Sequence, residues 1–332
     1  MLINKNDTLK SLLGGIQSEM HWKTWGPFVA DAENDHIIRA IGQELYDYLL
    51  TKVDPVTDAL TGSTRENALI KKLRTTLGHY TEMESALSIL VQKGDGGLAI
   101  ATPPSMQAPG KWMIVGKISE SRDKADRHME ATLQYLEKYK ADFPAWTESS
   151  AYTITHSLFL GSATEYTEYF PAVRESRRLY VALRGFVVKS EKDFILPLLG
   201  DALFRAWKTR LLTSDPWTDL ELEALNLLRT ALANDAFRRG MPYLNLNSDF
   251  RLVSETDGIR NEDVLNDAKI NAIRSDTDKE SAEYANRLKR LLDKKASATI
   301  FPEYFASDLY VPTQRKSYQP PVNCDPAMPF EL

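Results

Sequence analysis

The chain has few of the features that define several protein classes. Cys324 is the only cysteine among 332 residues, which excludes a disulfide framework and a thiolate metal site. No apolar run approaches the roughly 18 residues that span a bilayer. Residues 1–13 lack the charged, apolar and small-residue order of a signal peptide. These absences predict a protein that folds in a reducing, intracellular environment.

The sequence also lacks the short motifs of common catalytic and nucleotide-binding sites. It contains no P-loop, no G-x-G-x-x-G, no G-x-S-x-G and no Cys/His pair. The loop at 94–97 resembles a phosphate-binding loop only in its glycine content. None of the five histidines has metal-ligand spacing: His21, His36, His79, His128 and His156. We therefore predict no catalytic, cofactor-binding or metal-ligating residues, and no cofactor.

Positive charge is also in deficit. The formal net charge of −5 argues against a general nucleic-acid coat, which needs clustered basic surface to neutralise phosphates. A surface that lets DNA pass without binding it stays compatible with this charge. The basic run at 287–295 could touch nucleic acid, but a solvated helix face explains it more simply.

The strongest feature present is an internal repeat. Residues 28–49 align without gaps with residues 186–207 at a constant offset of 158 residues. The identical pairs in this block are Phe28/Phe186, Val29/Val187, Glu33/Glu191, Asp35/Asp193, Ile37/Ile195, Gly42/Gly200 and Leu45/Leu203. Two further blocks follow in the same order, at 73–78 with 228–233 and at 143–146 with 301–304. Three blocks in one order indicate a tandem duplication.

The repeat and the length together predict two domains, each large enough to bury its own core. We expect a mainly α fold with two tandem-duplicated helical-bundle domains, each carrying a small β-hairpin arm. The first domain covers 1–156 with its arm at about 93–119, and the second covers 157–310 with its arm at about 243–260. Five prolines predict an extended C-terminal tail at 311–332.

Apolar residues at three- and four-residue steps place the helices. The first domain should contain long helices at about 26–51, 64–91 and 121–141. The third long helix of the second domain should run over 261–295 with a break near 275–278. Strands are expected at 98–101 and 112–115. We expect Asn6 or Asp7 to cap the first lead-in helix, and Ser162 or Thr164 to cap the second.

The repeated glycines and carboxylates admit two readings each. Gly42 and Gly200 either let a neighbouring helix approach closely or mark a joint between two helices. The four repeated acids could serve acid/base chemistry. Helix capping and dipole compensation ahead of Ile37 and Ile195 is the simpler role. These acids are Glu33, Asp35, Glu191 and Asp193.

Several of these patterns are similar to those of a known group of proteins. The pattern E-x-[DY]-x-I-x-x-x-[IL]-G-x-x-L occurs at 33–45 and 191–203, L-R-x-x-L occurs in both halves, and Asp-Gly-Ile-Arg stands at 257–260. Together they resemble an uncharacterised family of phage and prophage proteins, similar in turn to the head–tail connector (adaptor, neck) proteins of tailed phages. The similarity is greatest in ILPLLGDALFRAW and ALANDAFRRGMPYLNL. The first half departs from it, with Arg39 where Pro197 stands.

The resemblance implies a virion structural protein of the head–tail junction rather than an enzyme. Its partners would be other copies of itself in a homo-oligomeric ring, the portal protein, and tail or neck proteins. Genomic DNA would pass through the channel without sequence-specific binding, and no membrane would be involved. The protein would be located in the virion neck after assembly in the host cytoplasm.

Two other functions are compatible with the sequence. One is a hydrolase-like enzyme whose site lies at the interface of the two duplicated domains and uses the repeated carboxylates. The other is a monomeric scaffold with two binding bodies. A bound small ligand would favour the enzyme, whereas ring assembly or capture by portal would favour the connector.

Overall fold

The computed structural model describes residues 1–14, 21–94, 97–100, 110–213, 215–246, 252 and 265–312. Within these residues the chain is mainly α-helical, with one small antiparallel sheet. Most of the arm predicted at 243–260, and the predicted tail after Pro312, lie outside the described residues.

The first half is a bundle built around two long antiparallel helices. A lead-in helix and a helix interrupted near its end pack against the first of these two. The elements are α1 (Asn6–Leu13), α2 (Trp22–Ala32), α3 (Arg39–Ile41), α4 (Gln43–Leu50), α5 (Thr64–Leu90), β1 (Val91–Gly94), β2 (Gly97–Ile100), α6 (Lys111–Lys138) and α7 (Pro144–Thr147).

The second half repeats this order after a connecting helix, α8 (Ser150–His156). In each half the second long helix packs along the third, and the short Phe-Pro helix packs on the helix that follows the repeated glycine. The elements are α9 (Ala163–Tyr169), α10 (Arg177–Ser190), α11 (Leu196–Leu199), α12 (Asp201–Thr213), α13 (Asp219–Gly240), α14 (Asp267–Lys295) and α15 (Pro302–Phe305).

Each half has its own hydrophobic core. One cluster of buried side chains is drawn from residues 2–152 and the other from residues 159–304. Equivalent aromatic residues close both cores, because Phe143 and Trp146 are buried in the first, and Phe301 and Tyr304 in the second. The two copies of the sequence repeat thus pack equivalent side chains into their cores.

The repeated glycines are joints between helices. Gly42 and Gly200 adopt φ of +85° and +79°, which L side chains rarely adopt, and each separates a short helix from the next one. Just before each joint the backbone widens into a π-helical turn, at Glu33–Ile38 and Glu191–Ile195. The joint reading is therefore correct, and at Gly42 the close-approach reading holds as well, because an added Cβ would lie 2.8 Å from the Cβ of Ser149, which caps α8.

Two predictions for the third helices are wrong. Residues 112–115 are not a strand, because α6 begins at Lys111, and Lys117 and Ser121 tie its first turns to Glu82 on α5. The predicted break near 275–278 is absent from α14. There Thr277 donates to the Ile273 carbonyl within the helix, and the Ser281 hydroxyl donates to the Ala231 carbonyl of α13.

The arm and cap predictions have mixed outcomes. Strands β1 and β2 pair in antiparallel register, with Val91 opposite Ile100. Leu246 and Leu252 form an isolated bridge at the corresponding place in the second half. A hairpin arm in each half stays a prediction. Ser162 caps α9 as predicted, but Asn6 and Asp7 lie inside α1, which begins after Lys5 without a side-chain cap.

Candidate functional site

A buried carboxylate and an arginine hold the segment that enters the first half. The Leu2 amide donates to Glu33 Oε1 at 2.5 Å, and Arg74 Nε donates to the Leu2 carbonyl at 2.7 Å. The Tyr46 hydroxyl donates to the other oxygen of Glu33 at 2.9 Å. Burial raises the pKa of Glu33, although these hydrogen bonds oppose the rise. The backbone amide and carbonyl of Leu2 thus both have hydrogen-bond partners inside the core.

The second half uses the same arrangement on Phe159. The Phe159 amide donates to Glu191 Oε1 at 2.7 Å, and Arg229 Nε donates to the Phe159 carbonyl at 2.9 Å. Lys208 takes the place of the tyrosine and binds the second oxygen of Glu191 at 2.5 Å. Burial raises the pKa of Glu191 and lowers the pKa of Lys208, while their mutual attraction opposes both shifts. We call each Glu–Arg pair the entry clamp of its half.

The predicted capping role of the repeated acids is therefore wrong. Glu33 and Glu191 lie inside helical stretches that continue from the preceding helix, so there is no free helix N-terminus for them to cap. Asp35 pairs with Arg39 on the surface, and Asp193 pairs with Arg239. None of the four acids lines the cavity between the halves, where the enzyme hypothesis placed them.

A buried ion pair joins the two halves. Glu130 on α6 binds Arg177, the first residue of α10, at 3.0 Å, and Thr164 also donates to Glu130. One turn earlier on α6, Asp126 is buried and accepts a hydrogen bond from Tyr80 at 3.0 Å. Burial raises the pKa of both acids, and the charge of Arg177 opposes the rise. We call this contact the acid–arginine seam.

The acids of the seam also offset the positive charge at the start of α10. Arg177 and Arg178 stand in the first turn of that helix, where positive charge is unfavourable because the helix dipole is positive there. The two acids of α6 offset this, so each element needs the other. The sequence did not predict the seam, because Glu130 and Arg177 lie 47 residues apart and α6 has the pattern of an ordinary charged helix.

Among the described residues, α14, the third helix of the second half, has no equivalent of the seam. The start of α10 packs on α6, whereas within the described residues no contact of comparable extent joins α2 to α14. Buried residues of α6 match buried residues of α14 at a constant offset of 156 residues: Ser121, Ala125, Met129 and Leu136 with Thr277, Ser281, Ala285 and Leu292. At this offset Asp126 and Glu130 correspond to Ala282 and Asn286, and both of these are exposed.

In the part of the chain that the structure describes, this face of the third helix is therefore covered in the first half and exposed in the second. We call the surface around Ala282 and Asn286 the open face of α14. A residue from beyond α13 also reaches the first half, since Leu252 lines a small cleft together with Arg122 and Asp123 of α6. The contact between the halves is thus heterologous, with different surfaces on its two sides.

Four of the five histidines contact other side chains or the backbone. His36 binds Glu84 at 3.0 Å and stacks on Tyr80. His79 stacks on His128, and His156 binds the Tyr152 carbonyl. Among the described residues, no group of three or more acids, histidines or cysteines is arranged to hold a metal ion. In the same part of the chain, no helix combines the length and apolar character needed to cross a bilayer.

Comparison with known proteins gives one match, found twice. A family model described as "Family of unknown function (DUF6712)" matches residues 37–156 and again residues 195–314. Neither a curated protein nor a solved structure matches the chain. The two matched segments have the same length and share an offset of 158 residues, so the predicted tandem duplication is confirmed.

Proposed function

Since the chain belongs to the family of unknown function DUF6712 and contains its domain twice, we propose that it is a virion structural protein of the head–tail junction. It forms a connector ring bound to the portal and to tail or neck proteins, in the virion neck after assembly in the host cytoplasm. DNA passes through the channel without sequence-specific binding. This role rests on the resemblance described above and on the geometry between the halves.

The observation that carries the proposal is the open face of α14. Within one chain, the start of α10 in the second domain packs on the covered face of α6 in the first. The corresponding residues of α14, Ala282 and Asn286, are exposed, and a further domain seated there would continue the same head-to-tail order. Heterologous contacts of this kind generate rings when the rotation closes. A second copy of the chain is the natural occupant.

The chemistry of the open face differs from that of the seam. Ala282 and Asn286 replace the two acids, and Lys289 and Arg290 lie next to them on α14. A contact between copies would therefore bury fewer charged groups than the seam does. It would also form and dissociate more easily than the buried pair of the seam. This suits a domain pair that folds as one chain and then assembles. The hairpin arms of the two halves are proposed to reach neighbouring copies in the same way as Leu252 reaches α6.

Assembly is tested with a bulky substitution on the open face. Asn286→Trp should reduce ring formation of the purified chain, measured as the mass distribution by mass photometry and by negative-stain microscopy. Glu280→Trp is the matched control, because Glu280 is exposed on the opposite side of the same helix. A wild-type chain that stays monomeric at high concentration and is not captured by portal would refute the connector role. Equal assembly of the two variants would exclude the open face as its contact.

A further inference from the structure

A cavity of about 490 Å³ lies between the two halves. The first half contributes the glycine joint after α3, one side of α6 and most of α8. The second half contributes the start of α10. The volume falls within the range of sites that hold small organic ligands. The assembly role proposed above does not use this cavity.

Part of the wall is apolar and exposed. Ile154 on α8 and Val181 on α10 both line the cavity, with 47% and 46% of their surface accessible. Leu133 and Ile38 add further apolar wall. Large aliphatic side chains that stay exposed inside a concave site gain free energy when an apolar group covers them. The walls therefore suit a ligand with an apolar body.

The charged groups of the wall differ in whether they have a partner. Glu130 is bound to Arg177, and Glu137 is bound to His156. Arg184 lies on the cavity side of α10, two turns after Arg177. It makes no hydrogen bond or ion pair with any residue that the structure describes. Arg39, on the opposite wall, has only the exposed partner Asp35, and such pairs are weak. Among the described residues, Arg184 is therefore a cation of the wall without a carboxylate partner.

We propose that this cavity binds an organic carboxylate with an apolar body. The guanidinium of Arg184 receives the carboxylate, because its planar fork of N–H donors matches two carboxylate oxygens. The apolar body lies against Ile154 and Val181. Since one of these residues belongs to the connecting helix and the other to the second half, the bound ligand touches both sides of the junction. The site is independent of the proposed place in the virion.

The probe is 4-phenylbutyrate, titrated into the full chain and followed by calorimetry and ligand-observed NMR. Its uncharged analogue 4-phenylbutan-1-ol should bind about tenfold more weakly or worse, because it lacks the charge-assisted hydrogen bonds. Arg184→Gln should weaken 4-phenylbutyrate binding to a similar degree. Arg205→Gln removes the same charge from an exposed position outside the cavity and should leave binding unchanged.

A second variant keeps the test independent of Arg184. Val181→Glu places a carboxylate in the wall at an exposed position, so it should abolish 4-phenylbutyrate binding while the far-ultraviolet circular dichroism stays that of the wild type. The proposal is wrong if wild type fails to bind 4-phenylbutyrate, or if the alcohol or inorganic phosphate binds as tightly. It is equally wrong if folded Arg184→Gln or Val181→Glu binds like wild type.

Discussion

At the scale of single residues, the entry clamps show how much a repeat can reveal. The sequence pairs Glu33 with Glu191, and Arg74 with Arg229, through the aligned blocks. It does not reveal that each pair holds one backbone residue, because Leu2 and Phe159 lie outside those blocks. The contacts also span 31 to 72 residues along the chain. Local rules suggested capping instead, since acids near an apolar run usually mean a helix start.

Glu82 is a residue for which the structure predicts a pH dependence. Burial raises the pKa of Glu82, but His79, Ser121 and Lys117 outweigh it and bring the pKa down to about 2. The Ser121 hydroxyl lies 2.6 Å and the Lys117 ammonium 3.0 Å from the carboxylate. His79 Nδ1 lies 3.9 Å away, beyond hydrogen-bond length, so we assign most of the effect to Ser121 and Lys117.

A carboxylate whose pKa is lowered on folding contributes stability above its unfolded pKa, here 4.5, and loses it as the pH falls towards about 2. Glu82→Gln should therefore lower the free energy of unfolding at pH 7 by about 2 kcal/mol. The difference from wild type should shrink as the pH falls from 4.5 to about 2. Urea unfolding across this range is the measurement, with exposed Glu44→Gln as control. A difference that does not change with pH would contradict the assignment.

At the scale of elements, the long helices and the order of the repeat could be predicted, but several boundaries could not. The run Trp112–Val115 is rich in residues that favour strands, yet it forms the start of α6. Packing of α6 along α5 overrides that preference, which is weak over four residues. The π-helical turns carry no signal in composition. Each turn begins at a buried glutamate that binds the backbone of the entering chain.

The glycine joints give a prediction at this scale. Gly42→Ala and Gly200→Ala should each destabilise their half by about 1–3 kcal/mol, because alanine is strained at these φ values. Gly42→Ala should cost more. Its new Cβ would lie 2.8 Å from the Ser149 Cβ, whereas at Gly200 the nearest atom is the end of the Leu309 side chain at 3.2 Å.

Matched controls exist in both halves. Gly116 on α6 and Gly185 on α10 have open space around the position of a Cβ and an ordinary helical backbone. Alanine there should stabilise the chain by up to about 1 kcal/mol, because glycine is a poor helix former. The free energies of unfolding in urea compare the four variants. Equal effects at the joints and at the controls would show that φ does not limit the choice of residue at the joints.

At the scale of the whole molecule, the seam could not be predicted because its two sides come from different domains. Asp126 and Glu130 stand four residues apart on a charged helix, a spacing common on solvated surfaces. The placement of α10 on that face pairs Glu130 with Arg177. The open face of α14 could not be predicted either, because the sequence does not show which of the two equivalent helix faces is covered and which is exposed.

The seam should couple the halves energetically. Glu130→Ala leaves Arg177 half-buried without its partner, so it should cost about 3 kcal/mol and make the two halves unfold at separate temperatures. Arg177→Ala should have a similar effect. The double variant should lose less than the two single losses combined, because the remaining charge is removed. Differential scanning calorimetry of the four proteins measures this cycle, and simple additivity would contradict a direct pairing.

The two separate cores have a consequence for synthesis of the protein. Every buried residue of the first core comes from the chain up to residue 152, and the second core begins at residue 159. The first half can therefore complete its packing on the ribosome before its near-copy emerges. Two similar sequences made in succession could exchange helices if both were unfolded together. Because translation proceeds from the N-terminus, the first half is folded before the second is complete, and this exchange is avoided.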